Sequence, residues 1–212
     1  RGPFRCGYRL VSPEGALVTR ERADYSALDR LLHILAFTTG IPQMTAADVE
    51  RGLFGRRFRE IQVVRPVFVT SLPRAGTTLL LEILSRAPEL GSHRYRDMPF
   101  VLAPILWDTF SSHFHRESGL KERAHGDGVK IGYDSPEAFE EVLWRAFWPE
   151  RFKGSAIPLW SEGDHKDGFP DFFRDHIRRI IAVRSAADDR VSRYVSKNNA
   201  NIARLKFLKK LF

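Results

Sequence analysis

Cysteine is almost missing: the 212 residues contain one, Cys6. A lone thiol closes no internal disulfide and builds no thiolate zinc cluster, so a disulfide scaffold and a Cys-type metal site are both excluded. The scarcity fits a reducing compartment, and the cytoplasm is the expected location. No stretch of about 18 uninterrupted apolar residues occurs, which excludes a membrane-spanning helix in this sequence. Acidic residues are in deficit, 26 against 34 basic ones, leaving a net charge of +8. There is no internal repeat, no low-complexity tract and no ligand set with good metal spacing. His113 and His115 stand two apart, which suits a metal only on a strand, and their surroundings read as a helix end.

What is present is an ordinary globular composition, 43% apolar and 28% charged, so disorder, collagen and coiled coil are out. The basic excess favours anionic ligands: phosphate, sulfate, nucleic acid or acidic saccharide. Nucleic acid is the least expected of these, because no recognition motif and no aromatic–basic interleaving is seen. The chain starts at Arg1 without a signal pattern. It ends in a helical pattern, Asn201 to Phe212, that has no stop signal. Ile202, Leu205, Leu208 and Leu211 form an apolar stripe there with nothing following to bury it. The sequence therefore reads as the N-terminal part of a longer protein, expected to be inactive as it stands.

Residues 1–60 are predicted to form a small accessory segment. It holds a hairpin over 8–20, a helix carrying Leu28 to Leu35 that Gly40 and Pro42 close, and a second short helix from Thr45 to Phe54. Residues 61–212 form the core. Pro66 to Thr70 is a short apolar run, the mark of a strand buried on both faces. A loop over Ser71–Gly76 leads to a helix from Thr77 to Arg86, with Leu80, Ile83 and Leu84 as its inner face. Strand, tight loop and helix predict an α/β fold with a P-loop-like parallel sheet flanked by helices, incomplete at its C-terminus. Ser135-Pro136-Glu137 predicts a helix start, continued by Phe139, Val142, Leu143, Ala146 and Phe147. Glu137, Glu140 and Glu141 then read as compensation of the helix dipole. Asp171 to Arg184 is another helix, and Tyr194-Val195-Ser196 a strand running into Lys197.

The chemistry concentrates in Ser71-Leu72-Pro73-Arg74-Ala75-Gly76-Thr77-Thr78. A loop between a buried strand and a helix N-terminus gathers backbone N–H groups into one concavity, and the helix end adds roughly half an elementary charge. Gly76 lets the main chain come close to an anion. Thr77 and Thr78 offer hydroxyls, and Arg74 adds a planar fork suited to phosphate or sulfate oxygens. The nucleoside-triphosphate loop G-x-x-x-x-G-K-[ST] is not what stands here. Aligned on Gly76, Ser71 replaces its first glycine and Thr77 replaces its lysine, the group that reaches the terminal phosphates.

Pro73-Arg74-Ala75-Gly76-Thr77-Thr78 resembles the 5′-phosphosulfate-binding loop of sulfotransferases that use 3′-phosphoadenosine 5′-phosphosulfate (PAPS), most of all the tyrosylprotein, carbohydrate and bacterial branches. Tyr194-Val195-Ser196-Lys197-Asn198-Asn199 and the basic helix after it resemble that family's next strand, its lysine and the helix that follows. The resemblance implies transfer of a sulfuryl group from PAPS to a hydroxyl or amine of a saccharide, tyrosyl or other small acceptor, with no metal. It implies that residues 73–78 hold the 5′-phosphosulfate and that Lys197 stabilises the transition state. The family's arginine and serine for the 3′-phosphate would lie beyond Phe212; Ile180 to Ser185 mimics that strand but stands before Lys197.

The family also carries an acceptor-side base, a glutamate or histidine, on the strand after the loop helix. The matching stretch here, Gly91 to Phe100, has no glutamate. His93 is the first choice, because an imidazole with an ordinary pKa of about 6.5 suits proton abstraction. Asp97 is the second, as base or as orienter of His93, and Arg94 and Arg96 could bind an acidic acceptor. Two other readings remain: a kinase-like phosphoryl-transfer enzyme with a divergent loop, and a non-catalytic basic module for polyanions.

Overall fold

A computed structural model describes residues 40–112, 121–122, 130–131, 134–153 and 157–212. The expected hairpin over 8–20, the helix carrying Leu28 to Leu35, and His113 and His115 lie outside the described residues. Along the chain run α1 (Gly40–Phe54), β1 (Val67–Val69), α2 (Thr77–Leu84), β2 (Leu90–Gly91) and α3 (Pro104–Ser111). A two-residue antiparallel pair, β3 (Lys121–Glu122) and β4 (Lys130–Ile131), follows. Then come α4 (Glu141–Phe147), α5 (Phe169–Ser185), β5 (Arg193–Lys197) and α6 (Leu205–Leu211).

The strands β1, β5 and β2 form a parallel sheet in that order, so the last strand in sequence lies at the centre. Its position follows from its side chains: Tyr194, Val195 and Ser196 are all buried, as a strand covered on both faces requires. On one side Val69, Leu81, Leu90 and Val195 pack together, so α2 is held by β1, β2 and β5. The inner face of α2 is thus Thr77, Leu81 and Leu84, one turn apart, and not the expected Leu80, Ile83 and Leu84. Leu79, Leu80 and Ile83 face outward.

The larger core is aromatic and joins α4, α5 and α6. Trp144, Trp148, Trp160, Phe169, Phe173 and Phe207 bury one another, with Trp148 and Phe169 ring centroids only 4.2 Å apart. Three of the four tryptophans are therefore structural. Trp107 is half-buried and donates its indole N–H to the Arg96 carbonyl at 3.0 Å. In α6 the inner residues are Phe207 and Leu208, while Ile202 and Leu205 are exposed, so only part of the expected apolar stripe turns inward. Residues 180–185, which mimic a strand, lie within α5.

Two helix boundaries differ from expectation. Pro42 lies within α1, upstream of Thr45, where that helix is expected to begin. Ser135 to Glu137 do not start α4. They run beside 93–95 instead, with Tyr95 N–H donating to the Ser135 carbonyl and Glu137 N–H to the His93 carbonyl, both at 3.0 Å. The helix begins only at Glu141.

Helix α1 is built into the core rather than laid against it. Arg179 of α5 and Glu50 of α1, both fully buried, form an ion pair at 3.1 Å. The guanidinium lies over the rings of Phe58 and Phe172 and donates to the Ala47 carbonyl at 3.1 Å. Burial pushes the Glu50 carboxyl up to about 7, opposed by the Leu106 amide at 2.6 Å and by the Arg179 charge. A buried pair of this kind is far more damaging to break than to delete. Arg179→Met is expected to lower the unfolding free energy by about 3–5 kcal/mol in urea, and the Glu50→Gln, Arg179→Met double variant to regain most of it. Strictly additive losses would contradict that coupling.

Candidate anion site at the carboxyl end of the sheet

Strand β1 delivers the chain into the loop of Ser71 to Gly76. Pro73 to Gly76 are exposed, Thr78 is half-buried, and Thr77 is buried under the turn. Gly76 caps α2 in the left-handed region, φ 76°, which other residues enter only with strain. A Cβ there would meet nothing within 4 Å, so the backbone angle, not crowding, is what demands glycine. Arg74 is also left-handed, at φ 68°, without glycine's freedom. Strained residues of this sort cluster at ligand clamps. No side chain caps the first turn of α2, whose amides point toward the exposed loop.

Lys197 comes to the same place. It closes β5, and its register partner across the parallel pair is Val69, the last residue of β1. Three bonds tie the two strand ends together beyond the ladder. The Asn198 amide donates to the Val69 carbonyl at 3.0 Å. The Thr70 hydroxyl donates to the Asn199 carbonyl at 3.2 Å, and the Thr77 hydroxyl to Asn199 Oδ1 at 3.3 Å. Residues 73–78 and Lys197 thus share the carboxyl end of the sheet, where open α/β folds hold ligands. One expectation changes. The Thr77 hydroxyl proton is already engaged by Asn199, which leaves Thr77 its amide for an anion and Thr78 as the hydroxyl donor.

His93 and Asp97 do not join this group as a base pair, because both are buried. His93 Nε2 lies 3.2 Å from His176 Nε2, and the rings stack with centroids 5.0 Å apart. One ring donates and the other accepts, so both cannot be charged. Asp97 accepts from the buried Arg184 guanidinium and, at 2.8 Å, from the Arg94 amide. Its carboxylate is consumed by structure. A base must reach the acceptor, and His93 at 1% exposure is turned into the core in this structure. Arg94 and Arg96 both turn to Asp134, each at 3.3 Å.

The residues that sequence reasoning missed are Glu140, Glu141 and Arg204. Glu140 is fully buried, accepting from Ser196, from Asn201 at 2.8 Å and from the Trp144 indole at 3.0 Å. Burial raises its pKa, and those bonds oppose the rise. Glu141 accepts from Asn198 at 2.6 Å and from both terminal nitrogens of Arg204, at 2.8 and 3.0 Å. Trp144 apart, these acids serve partners 56 to 63 residues away, and no local signal announces that. Arg204, in the basic run at the end of the sequence, is fully buried over Trp144.

The histidine pair has a pH signature. Burial pushes His93 down to about 4, with Asp97 opposing, and drives His176 well below 6.5. The unfolded chain binds protons near the ordinary histidine value while the folded one resists, so stability is intact above about 6.5 and declines as pH falls toward 4. Imidazole ¹⁵N shifts of both residues are expected to stay in the neutral range at pH 5.5; a protonated His93 at that pH would contradict its burial.

The family model described as "Sulfotransferase family" matches residues 66–212. No curated protein sequence matches the chain. Among solved structures, sulfotransferase STF1 from Mycobacterium tuberculosis H37Rv aligns at 16% identity with a TM-score of 0.38, covering 78% of this chain and 47% of that one. This chain thus spans about half the length of that protein. The matched region takes in β1, the anion loop, α2 and the strand end that bears Lys197, and on that match the chain belongs to the sulfotransferase family.

Proposed function

We propose that this chain binds the sulfuryl donor PAPS at the carboxyl end of its sheet and transfers the sulfuryl group to an acceptor hydroxyl or amine. The observation that carries the reading is the in-register placement of Lys197 beside Val69, directly before the loop. An anion cradle alone suits many phosphates. A cradle with a lysine at the adjacent strand end, in a chain of this family, suits a phosphosulfate.

The acceptor oxygen or nitrogen attacks sulfur in line, a new bond to sulfur forms, the sulfur bond to the oxygen bridging to the 5′-phosphate breaks, and the acceptor's proton passes to solvent. The electron pair leaves on that bridging oxygen, and the nucleotide product is adenosine 3′,5′-bisphosphate. As in phosphoryl transfer, the protein contributes position and charge stabilisation rather than covalent chemistry. The amides of Gly76, Thr77 and Thr78, the Arg74 guanidinium and the α2 dipole hold the 5′-phosphate and offset its growing charge. Lys197 supplies a cation where charge develops on the bridging oxygen. Pro73 and Ala75 shape the bend between these donors. No step calls for a metal, and among the described residues no cluster of three potential ligands occurs. The acceptor class we favour is a saccharide or a small or tyrosyl hydroxyl. Among the described residues, no helix is long and apolar enough to cross a membrane.

The two cations have separable effects. In a ³⁵S-transfer assay of the full-length protein with PAPS and a panel of saccharide and tyrosyl acceptors, Arg74→Ala is expected to raise the donor KM at least about tenfold, as loss of a charge-assisted contact does. Lys197→Ala is expected to lower kcat by about 10²- to 10³-fold with donor affinity nearly kept, the pattern of a group acting on the transition state. Full activity in both variants would remove the site from the reaction.

A further inference from the structure

Behind Lys197 lies a chain of contacts that no step above uses. Arg204 is fully buried, its guanidinium over the Trp144 ring at 4.3 Å. It holds Glu141 with two bonds, at 2.8 and 3.0 Å. Glu141 in turn accepts from the Asn198 side-chain amide at 2.6 Å. The other end of that side chain accepts from the Ala200 amide at 3.0 Å, so Asn198 is fixed at both ends. Asn198 sits between Lys197 and Asn199, and Asn199 grips Thr70 and Thr77 of the anion loop.

We infer that Glu141, clamped by Arg204, is a positioning residue: through Asn198 it fixes the turn that sets Lys197 against the anion loop. The inference rests on the donor site proposed above. Three features separate Glu141 from an ordinary surface acid. Its partner arginine is immobilised by burial and by aromatic stacking, so the carboxylate has one place to be. The carboxylate reaches the residue next to Lys197 and not some remote loop. The turn it restrains is itself bonded to the anion loop, so a shift at Asn198 moves both halves of the site relative to each other. Small misplacements of a catalytic group are costly, because rate depends on geometry at the scale of an ångström. Glu141 touches no reacting atom in this scheme, and its partner Arg204 precludes a role as free base.

Glu141→Gln keeps the shape and the acceptor for Asn198 but removes the charge that Arg204 clamps. Asn198→Ala removes the next link. Each is expected to lower kcat by about 10- to 100-fold while the donor KM changes less than about threefold, because position and not binding is lost. The double variant is expected to be no worse than the weaker single one, as links of one chain are not additive. Unchanged kcat in Glu141→Gln, or multiplicative losses in the double variant, would overturn the inference. Amide hydrogen exchange separates this outcome from failure of the donor reading. In Glu141→Gln the Asn198 and Ala200 amides are expected to exchange at least about tenfold faster while those of α5 are unchanged, whether or not sulfuryl transfer is seen. Identical exchange at Asn198 and Ala200 overturns the positioning role even if wild-type turnover is robust. An absence of wild-type transfer, with that local exchange effect intact, counts against the donor reading alone.

Discussion

Parallel pairing of β5 with β1 is the constraint from which the site follows. A strand early in the sequence and one near its end meet in a register that aligns Val67 with Val195 and Val69 with Lys197. Slide that register by one residue and every side chain of β5 would exchange faces. Lys197 would then move relative to the loop, and Tyr194 and Ser196 would lose their buried partners. The register is held by what lies on each face: Val195 among Val69, Leu81 and Leu90, and Tyr194 in the aromatic core with Phe173. Packing thereby becomes chemistry, because the strand end that the core fixes is the one bearing the cation.

Ion pairs with a buried arginine recur through the fold. Glu50 with Arg179, Asp97 with Arg184, and Glu141 with Arg204 each tie elements distant in sequence. Buried pairs of this kind contribute little net stability over apolar packing, yet any one of them left half-made is costly. They therefore act as registration devices. The first sets α1 against α5, the second sets the turn after β2 against α5, and the third sets α4 against the turn after β5. The basic excess of the sequence is thus divided between such internal anchors and exposed donors such as Arg74.

Much of the site was legible from local pattern. Residues 67–78 announce themselves because strand, glycine-bearing loop and helix start are all short-range features, and Lys197 is singled out by the resemblance of Tyr194 to Asn199 to the family's strand and lysine. The assignments that changed depend on burial, which no local pattern reports. His93 has the right residue type for a base at the expected place, but His176, far along the chain, stacks on it and closes it from solvent. Glu140 and Glu141 occupy positions where dipole compensation explains an acid well, so nothing local betrays their bonds to Ser196, Asn201 and Arg204. Arg204 lies in a basic run with Lys206, Lys209 and Lys210, and its burial, its ring partners and Glu141 set it apart. The sequence likewise assigns Glu50 to an accessory segment, whereas its partner Arg179 lies in α5.

The central claim is that main-chain amides and Arg74 hold the phosphate next to sulfur while Lys197 faces it from β5. It is tested most directly by amide chemical-shift mapping of the full-length protein titrated with adenosine 3′,5′-bisphosphate and, separately, with ATP and magnesium. The account predicts that the bisphosphate binds more tightly and that the largest shifts fall on Gly76, Thr77, Thr78 and Lys197. Tighter binding of ATP and magnesium, or shifts that leave those four residues untouched, would contradict it.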